Sequence, residues 1–207
     1  MADSVAALRR EIAACRLCAA QLPLGPRPVC QLGAGARVLI IGQAPGRRVH
    51  ESGRPFDDPS GRRLRDWMGI DEAEFYDPER VAITPMGLCF PGTGSSGDLP
   101  PRPECAPAWH ARAHALMPDI ALTLLLGRWA QRAYLPGGSD KLTETVERWR
   151  EHWPARITLP HPSPRNNRWL VRNPWFEAEV LPTLRGRIRA LLGVTASIQT
   201  NERGKPT

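Results

Sequence analysis

Four short apolar runs, rich in β-branched residues and leucine, constrain the fold of this chain more than any other feature. They are residues 38–41, 81–84, 120–126 and 157–159, and a glycine or proline follows each run directly. Apolar runs without strict alternation are typical of strands buried on both faces, as in a parallel sheet covered by helices. Stretches with helical spacing lie around them, at residues 4–14, 60–69, 105–117, 127–135 and 175–192. The sequence therefore predicts a three-layer α/β/α domain with a central sheet of about four parallel strands.

The rest of the chain divides by composition. With 207 residues, we expect a single domain over residues 1–194 and a disordered polar tail over 195–207. Residues 91–104 are rich in glycine, proline and serine, which predicts an irregular surface excursion. Residues 137–154 predict a peripheral helix. Ser60 is the expected N-cap of the helix over 60–69.

The charge is positive and carried by arginine. The net charge is +7, and all but two of the 28 basic residues are arginine, whose planar fork binds phosphate through paired hydrogen bonds. This favours a polyanionic partner, with nucleic acid first, although a solvated arginine-rich surface would have the same composition. No apolar run approaches the ~20 residues of a membrane span, and charged residues interrupt the N-terminal segment. We therefore expect a cytoplasmic, nucleoid-associated protein with no membrane partner.

Two of the segments that follow the predicted strands have unusual sequences. Residues 42–46 read GQAPG, in which little side chain keeps a ligand from the backbone N–H groups. Residues 161–167 read HPSPRNN, a loop that two prolines make rigid and that presents histidine, serine, arginine and asparagine. Ligands of parallel α/β sheets bind at the carboxyl ends of the strands. These loops are therefore the candidate site, although GQAPG alone also fits a tight turn and His161 also fits a structural role.

The five cysteines are arranged in a way that suggests a metal site. Cys15 and Cys18 form a CxxC that ends the first predicted helix, Cys89 follows the second strand, and Cys105 begins a later helix. A cytosolic chain does not keep structural disulfides, so another use is expected. Four thiolates from three elements fit either a [4Fe–4S] cluster or zinc, and buried free thiols are the alternative.

Taken together, these motifs resemble those of the uracil-DNA glycosylase superfamily. GQAPG, the GRPF of residues 53–56 and the HPSP of residues 161–164 occur in the family's order. The cysteine pattern and the CAPAW that begins at Cys105 resemble the iron–sulfur family-four enzymes, whereas HPSPRN is closer to the single-strand-selective monofunctional uracil glycosylases. The resemblance implies a monomeric, monofunctional DNA glycosylase of base-excision repair, which hydrolyses the N-glycosidic bond of a flipped-out base in single- or double-stranded DNA.

The resemblance also implies roles for individual residues. The implied catalytic and water-positioning residues are Gln43, His50, Glu51, Asp58 and His161. Base contacts fall to Gly42, Ala44, Phe56 and Asn166. DNA contacts fall to Gly46, Ser60, Ser163, Arg165 and Asn167. The ligands of a [4Fe–4S] cluster would be Cys15, Cys18, Cys89 and Cys105.

The chain departs from the family's pattern at two positions. GQAPG contains no carboxylate to activate water, and Gln43 cannot act as a base. Pro85 stands where family-four enzymes carry an asparagine that reads uracil, and a proline side chain has neither donor nor acceptor. The excised base is therefore open between uracil and a different or larger deaminated base. The alternative function is a non-catalytic iron–sulfur protein that binds nucleic acid and has kept the glycosylase fold.

Overall fold

The computed structural model describes residues 4–95, 97–135 and 141–193. In chain order the helices are α1 (Val5–Ala13), α2 (Arg47–Ser52), α3 (Pro59–Met68), α4 (Glu72–Phe75), α5 (Cys105–Ala115), α6 (Gly127–Tyr134), α7 (Leu142–Glu147), α8 (Asn167–Arg172) and α9 (Leu181–Leu192). The strands are β1 (Val38–Ile41), β2 (Val81–Ile83), β3 (Thr93–Gly94), β4 (Gly97–Asp98), β5 (Leu122–Leu126) and β6 (Arg156–Leu159).

The four predicted apolar runs form one sheet. Its order is β2-β1-β5-β6 and every pairing is parallel, with Ile41 opposite Leu125 and Leu126 opposite Leu159. Because all four strands run the same way, their carboxyl ends meet at a single edge. The predicted α/β class and strand number are confirmed.

Helices cover both faces of this sheet. Alternate strand residues, such as Ile40 and Leu124, pack with Leu64 of α3 and Leu184 of α9 on one face. Their neighbours in the strands pack on the other face, in a cluster that contains residues of α1, α5 and α6. Burial on both faces explains why the strands read as continuous apolar runs rather than as alternating ones.

Helix α3 begins earlier than predicted. Its N-cap is Asp58, whose side chain accepts from the Gly61 N–H, and Pro59 occupies the first helical position. Ser60 therefore lies inside the helix, and its prediction as the N-cap is wrong. Aspartate and serine are similarly good caps. Proline at the first position of the helix is the signal that favours Asp58.

Three further differences concern the periphery. Residues 93–98 contain a short antiparallel hairpin of β3 and β4 within the excursion predicted to be irregular. Trp149, in the predicted peripheral region, is only 3% exposed and belongs to the core. A π turn over Phe176–Val180 precedes α9. The predicted tail over 195–207 lies outside the described residues. Within the part of the chain that is described, no helix is both long and apolar enough to span a membrane.

Candidate active site

A cavity of about 760 Å³ opens at the carboxyl edge of the sheet. Its lining includes a residue that follows each of the four parallel strands, namely Gly42 after β1, Pro85 after β2, Arg128 after β5 and His161 after β6. The parallel sheet thus brings segments that are more than a hundred residues apart in sequence to one place. Gln43 and His161, from the two loops that the sequence singled out, open onto this same cavity.

Hydrogen bonds hold the GQAPG loop in place. The carbonyls of Gly42 and Gln43 accept from the N–H groups of Met86 and Gly87, each at 2.9 Å. The Gln43 side chain donates from Nε2 to the Leu99 carbonyl at 3.0 Å. This amide N–H is therefore used to tie the loop to the segment that follows β4.

Phe56 lies against the start of the GQAPG loop. A methyl group placed on Gly42 would lie 3.6 Å from Cζ of the Phe56 ring, and the ring lines the cavity. Phe56 adopts φ 54°, a left-handed conformation that bulky residues rarely take. Its carbonyl approaches Gly61 so closely that any Cβ there would collide with it. The segment between α2 and α3 is thus folded tightly enough to place the ring beside the cavity.

His161 is held as a neutral donor. Its Nδ1 accepts from the Ser163 N–H at 3.2 Å, so the ring proton resides on Nε2. Burial lowers the pKa of His161, and the charge of Asp58 opposes that shift. A neutral imidazole with an Nε2–H can donate a hydrogen bond to an anion in the cavity.

The loop that carries His161 is braced from both sides. The Asn166 side chain donates to the His161 carbonyl at 2.7 Å. Arg63 of α3 donates to the carbonyls of Pro162 and Ser163 at 3.3 and 3.2 Å. These bonds fix the orientation of the imidazole before any ligand arrives.

The hairpin of β3 and β4 bridges the two loops at the cavity. At Gly97 the end of the Arg165 side chain occupies the position that a Cβ would take, and the backbone φ of 127° disfavours residues other than glycine. On the other side, a methyl group placed on Gly46 would lie 3.4 Å from Oδ2 of Asp98. Asp98 lines the cavity together with Asp58. The glycine-rich excursion is therefore part of the site.

Most of the implied site residues lie together around the cavity. Those that line it are Gly42, Gln43, Ala44, Gly46, Phe56, Asp58, Ser60, His161, Ser163, Arg165 and Asn166. Their individual roles stay predictions.

Three of the implied residues lie elsewhere. His50 is buried beside Phe90, with no hydrogen-bond partner for Nδ1 among the described residues, and burial lowers its pKa, an effect to which Arg27 adds. Glu51 pairs with Arg47 at 3.1 Å. Asn167 accepts from Arg63 at 2.8 Å. None of these three residues is among the described residues that line the cavity.

The sequence assigned no role to three residues that line the cavity, which are Asp98, Arg128 and Trp129. Arg128 and Trp129 lie in the first turn of α6, just after β5, where the rule that ligands bind at strand ends applied equally. Asp98 is the acid nearest the middle of the excursion, and nothing in its local sequence distinguishes it from a surface aspartate.

The end of β2 turns its polar groups away from the cavity. Pro85 lines the cavity, but its carbonyl accepts from His110 Nε2 at 3.1 Å. The preceding Thr84 hydroxyl is bonded to Nε2 of His114. The Thr84 hydroxyl and the Pro85 carbonyl are therefore both already bonded to histidines of α5.

The cysteines gather in one region without forming a single-ion site. Cys18 and Cys89 pack together in a small cluster. Burial raises the pKa of Cys105 to about 11, and the nearby Cys18 and Cys15 add to the shift. Cys105 Sγ also accepts from the Leu88 N–H at 3.2 Å. Within the described ranges, no three His, Cys, Asp or Glu side chains are grouped closely enough to hold one metal ion.

Comparison with known proteins adds to this geometry. A sequence model of the Uracil DNA glycosylase superfamily matches residues 30–185. The chain is 27% identical over 126 residues to the type-4 uracil-DNA glycosylase of Sulfurisphaera tokodaii, a match that covers 59% of this chain and 54% of that protein. The chain thus spans about half the length of this curated relative.

A solved structure is also similar. It is a solution NMR structure from Methanosarcina acetivorans, described as a candidate uracil DNA glycosylase. The match has a TM-score of 0.46 and 17% identity, and it covers 78% of this chain and 97% of that one.

Proposed function

The chain belongs to the uracil DNA glycosylase superfamily, and from that premise we propose that it removes a deaminated or damaged base from DNA by hydrolysing the N-glycosidic bond. One observation carries the proposal: the GQAPG and HPSPRN loops face each other across one cavity of about 760 Å³. A cavity of this size, with a rigid donor on one wall, suits a base rotated out of the helix. The similarity to a type-4 uracil-DNA glycosylase supports the same activity.

His161 would stabilise the departing base. As the N-glycosidic bond breaks, negative charge develops on the base, and the Nε2–H of a neutral imidazole can donate to it. The Ser163 N–H on Nδ1 opposes protonation of that nitrogen. Because Asn166 and Arg63 already hold the loop, little reorganisation is needed at the moment of reaction.

The charge around the cavity suits the DNA backbone. The arginines that line it are Arg47, Arg48, Arg128 and Arg165. Guanidinium groups bind phosphates without reading sequence, so they would hold the strand while the base enters the cavity. Phe56 offers an aromatic face for stacking on that base.

We also propose that Cys15, Cys18, Cys89 and Cys105 hold a [4Fe–4S] cluster. Zinc draws four thiolates to about 2.3 Å from one centre, and among the described residues no three ligating side chains are grouped in that way. Cys15 and Cys18 are still close enough to add to the raised pKa of Cys89 and of Cys105. The N–H bond to Cys105 Sγ is of a kind that stabilises cluster sulfurs. The cluster would serve as a structural anchor, with no part in bond cleavage.

The test is a panel of oligonucleotides that carry uracil, hypoxanthine, xanthine or ethenocytosine, in single and double strands. Alkali after incubation converts each abasic site into a strand break. We expect breaks with at least one lesion, and we expect His161→Ala to reduce the rate by roughly 100-fold or more because it removes a donor to the leaving group.

Arg189→Ala, on the outer surface of α9 and away from the cavity, is the matched control and should cleave at the wild-type rate. Binding to every lesion without any strand break would contradict the proposal and favour the non-catalytic nucleic-acid-binding function.

A further inference from the structure

The cavity holds a carboxylate that the GQAPG loop lacks. Hydrolysis needs a group that accepts a proton from the attacking water. His161 is committed as a donor through Nε2, and the Gln43 amide is neutral. Among the described residues that line the cavity, the acidic ones are Asp58 and Asp98. The choice of base therefore lies between these two.

Asp58 lies on the side of the departing base. Its Oδ1 accepts from the Gly61 N–H at 2.8 Å as the cap of α3. Burial lowers the pKa of the His161 imidazole, and the charge of Asp58 partly opposes that shift. A carboxylate this close to the leaving-group donor is poorly placed for water, which must approach the sugar from the opposite face in a direct displacement.

Asp98 lies on the other side of the cavity. Its Oδ2 lies against Gly46, at the end of the loop that follows β1, whereas His161 follows β6. Strand β5 separates β1 from β6 in the sheet, so the two strand ends are about 10 Å apart. A deoxyribose between them would have the base toward His161 and the opposite face toward Asp98.

The carboxylate of Asp98 is held in this position. The Thr93 hydroxyl donates to Oδ1 at 3.4 Å. Gln43 Nε2 lies 3.5 Å from the Asp98 carbonyl and donates to the Leu99 carbonyl at 3.0 Å. Asp98 itself lines the cavity. The hairpin thus supplies an acid to the very loop whose own sequence has none.

We propose that Asp98 is the general base of this glycosylase, an inference that rests on the function proposed above. The water oxygen forms a bond to C1′ of the sugar while the N-glycosidic bond breaks, and the bonding electron pair leaves with the base. The Asp98 carboxylate takes the proton that the water loses and later releases it to solvent. The departing anion accepts a hydrogen bond from His161 and then takes a proton from solvent.

The experiment compares Asp98→Asn, Asp58→Asn and a control, Asp119→Asn. Asp119 is exposed between α5 and β5, at the amino end of the sheet. Asp119→Asn therefore removes one negative charge, as the other two variants do, but at a position away from the cavity. Rates of base release are measured with enzyme in excess from pH 5 to 9, on the lesion that the wild type cleaves. Affinity is measured separately on DNA that contains a tetrahydrofuran abasic analogue.

We expect Asp98→Asn to slow base release by roughly 100-fold or more at neutral pH, with affinity for the abasic analogue unchanged. Asp119→Asn should match the wild type. The other charged groups lining the cavity are Asp58, Arg47, Arg48, Arg128 and Arg165, and none of them is altered in Asp98→Asn.

Several outcomes would overturn the inference. One is a wild-type rate in Asp98→Asn, and another is a loss of rate in Asp58→Asn alone. If the melting temperature shows that Asp98→Asn does not fold, Asp98→Glu is measured as the second variant. Glutamate displaces the carboxylate, so a wild-type rate in Asp98→Glu would contradict the role of Asp98 as the general base. These results leave the glycosylase function intact, whereas a wild type that cleaves no lesion removes both.

Discussion

Pro85 limits how the cavity can recognise a base. Its side chain has no polar atom, it has no N–H, and its carbonyl is bonded to His110. A site that hydrogen-bonds one edge of a base rejects analogues strongly because a mismatch leaves its polar groups unpaired. At the end of β2 this cavity has no such group to leave unpaired. Discrimination among deaminated bases should therefore be weak here.

Substituting Pro85 tests this directly. Pro85→Asn places an amide at the end of β2, and we expect the ratio of uracil release to hypoxanthine release to change by about tenfold or more. Pro85→Ala removes the ring without adding an amide and should keep the wild-type ratio. The measurement is single-turnover cleavage of the two lesions in one sequence context. Equal changes in both variants would attribute the effect to the lost ring.

At the level of residues, the sequence predicted the loops better than the partners within them. GQAPG and HPSPRNN are recognisable because Gly and Pro restrict the backbone locally. The acceptor role of His161 Nδ1, and the use of the Gln43 amide to hold Leu99, depend on backbone groups that only the folded chain brings near. Asp98 was missed for the same reason, since its importance comes from its distance to Gly46.

Among the elements, α5 carries two neighbouring histidines on one face, of which His110 is buried and His114 is partly buried. His110 and His114 are four residues apart, and their rings lie 5.3 Å from each other. Burial lowers the pKa of His114 to about 4, and the neighbouring His110 adds to the shift. Burial also lowers the pKa of His110. Both rings are therefore neutral near pH 7 in the folded protein.

This pair predicts a loss of stability in mild acid. Between the ordinary histidine pKa of 6.5 and about 4, the unfolded chain binds a proton at His114 that the folded chain does not, so the free energy of unfolding falls as the pH is lowered. We expect His114→Asn to reduce the difference between pH 7 and pH 5 by about 1 to 2 kcal/mol. Urea unfolding at the two pH values, with iron content checked at each, makes the measurement. An unchanged difference would contradict it.

The strands and long helices were predictable because each is long enough for its buried residues to leave a regular pattern of apolar residues in the sequence. Four apolar runs became four parallel strands, and the helix ends moved by only a few residues. Short elements such as the hairpin of β3 and β4, or α8 after HPSPRN, have too few residues for a periodic signal. They are held by tertiary contacts, as Gly97 is by Arg165. Trp149 was predicted to be peripheral because its neighbours in the sequence are charged, whereas its side chain is buried in the core.

For the whole molecule, the four cysteines of the proposed cluster come from three separate parts of the chain. Cys15 and Cys18 follow α1, Cys89 follows β2, and Cys105 begins α5. A group bound by all four would join the N-terminal segment to the side of the sheet that carries the excursion of residues 91–104. Cys30 is the fifth thiol. Burial raises its pKa to about 11, and Cys105 is the one other cysteine among the causes of that shift.

The proposed cluster is tested by removing one of its four cysteines and, separately, the fifth cysteine, Cys30. We expect Cys89→Ala to lose most of the bound iron and sulfide and to unfold at a lower temperature, because metal binding free energy contributes to folding. Cys30→Ala is the matched control and should keep the iron and the brown colour of the wild type. Elemental analysis and thermal unfolding make the comparison. Zinc in place of iron, or full iron in Cys89→Ala, would contradict the assignment.

The position of Asp98 affects how related chains should be classified. It reaches the cavity from a glycine-rich segment nine residues beyond Cys89 in the sequence. A chain whose first-strand motif has lost its acid would ordinarily be set aside as a degenerate, inactive homologue. Where such a chain has an aspartate or glutamate in the segment that corresponds to the excursion of residues 91–104, it should be assayed before it is classed as inactive. The length of that segment is then the first feature to compare.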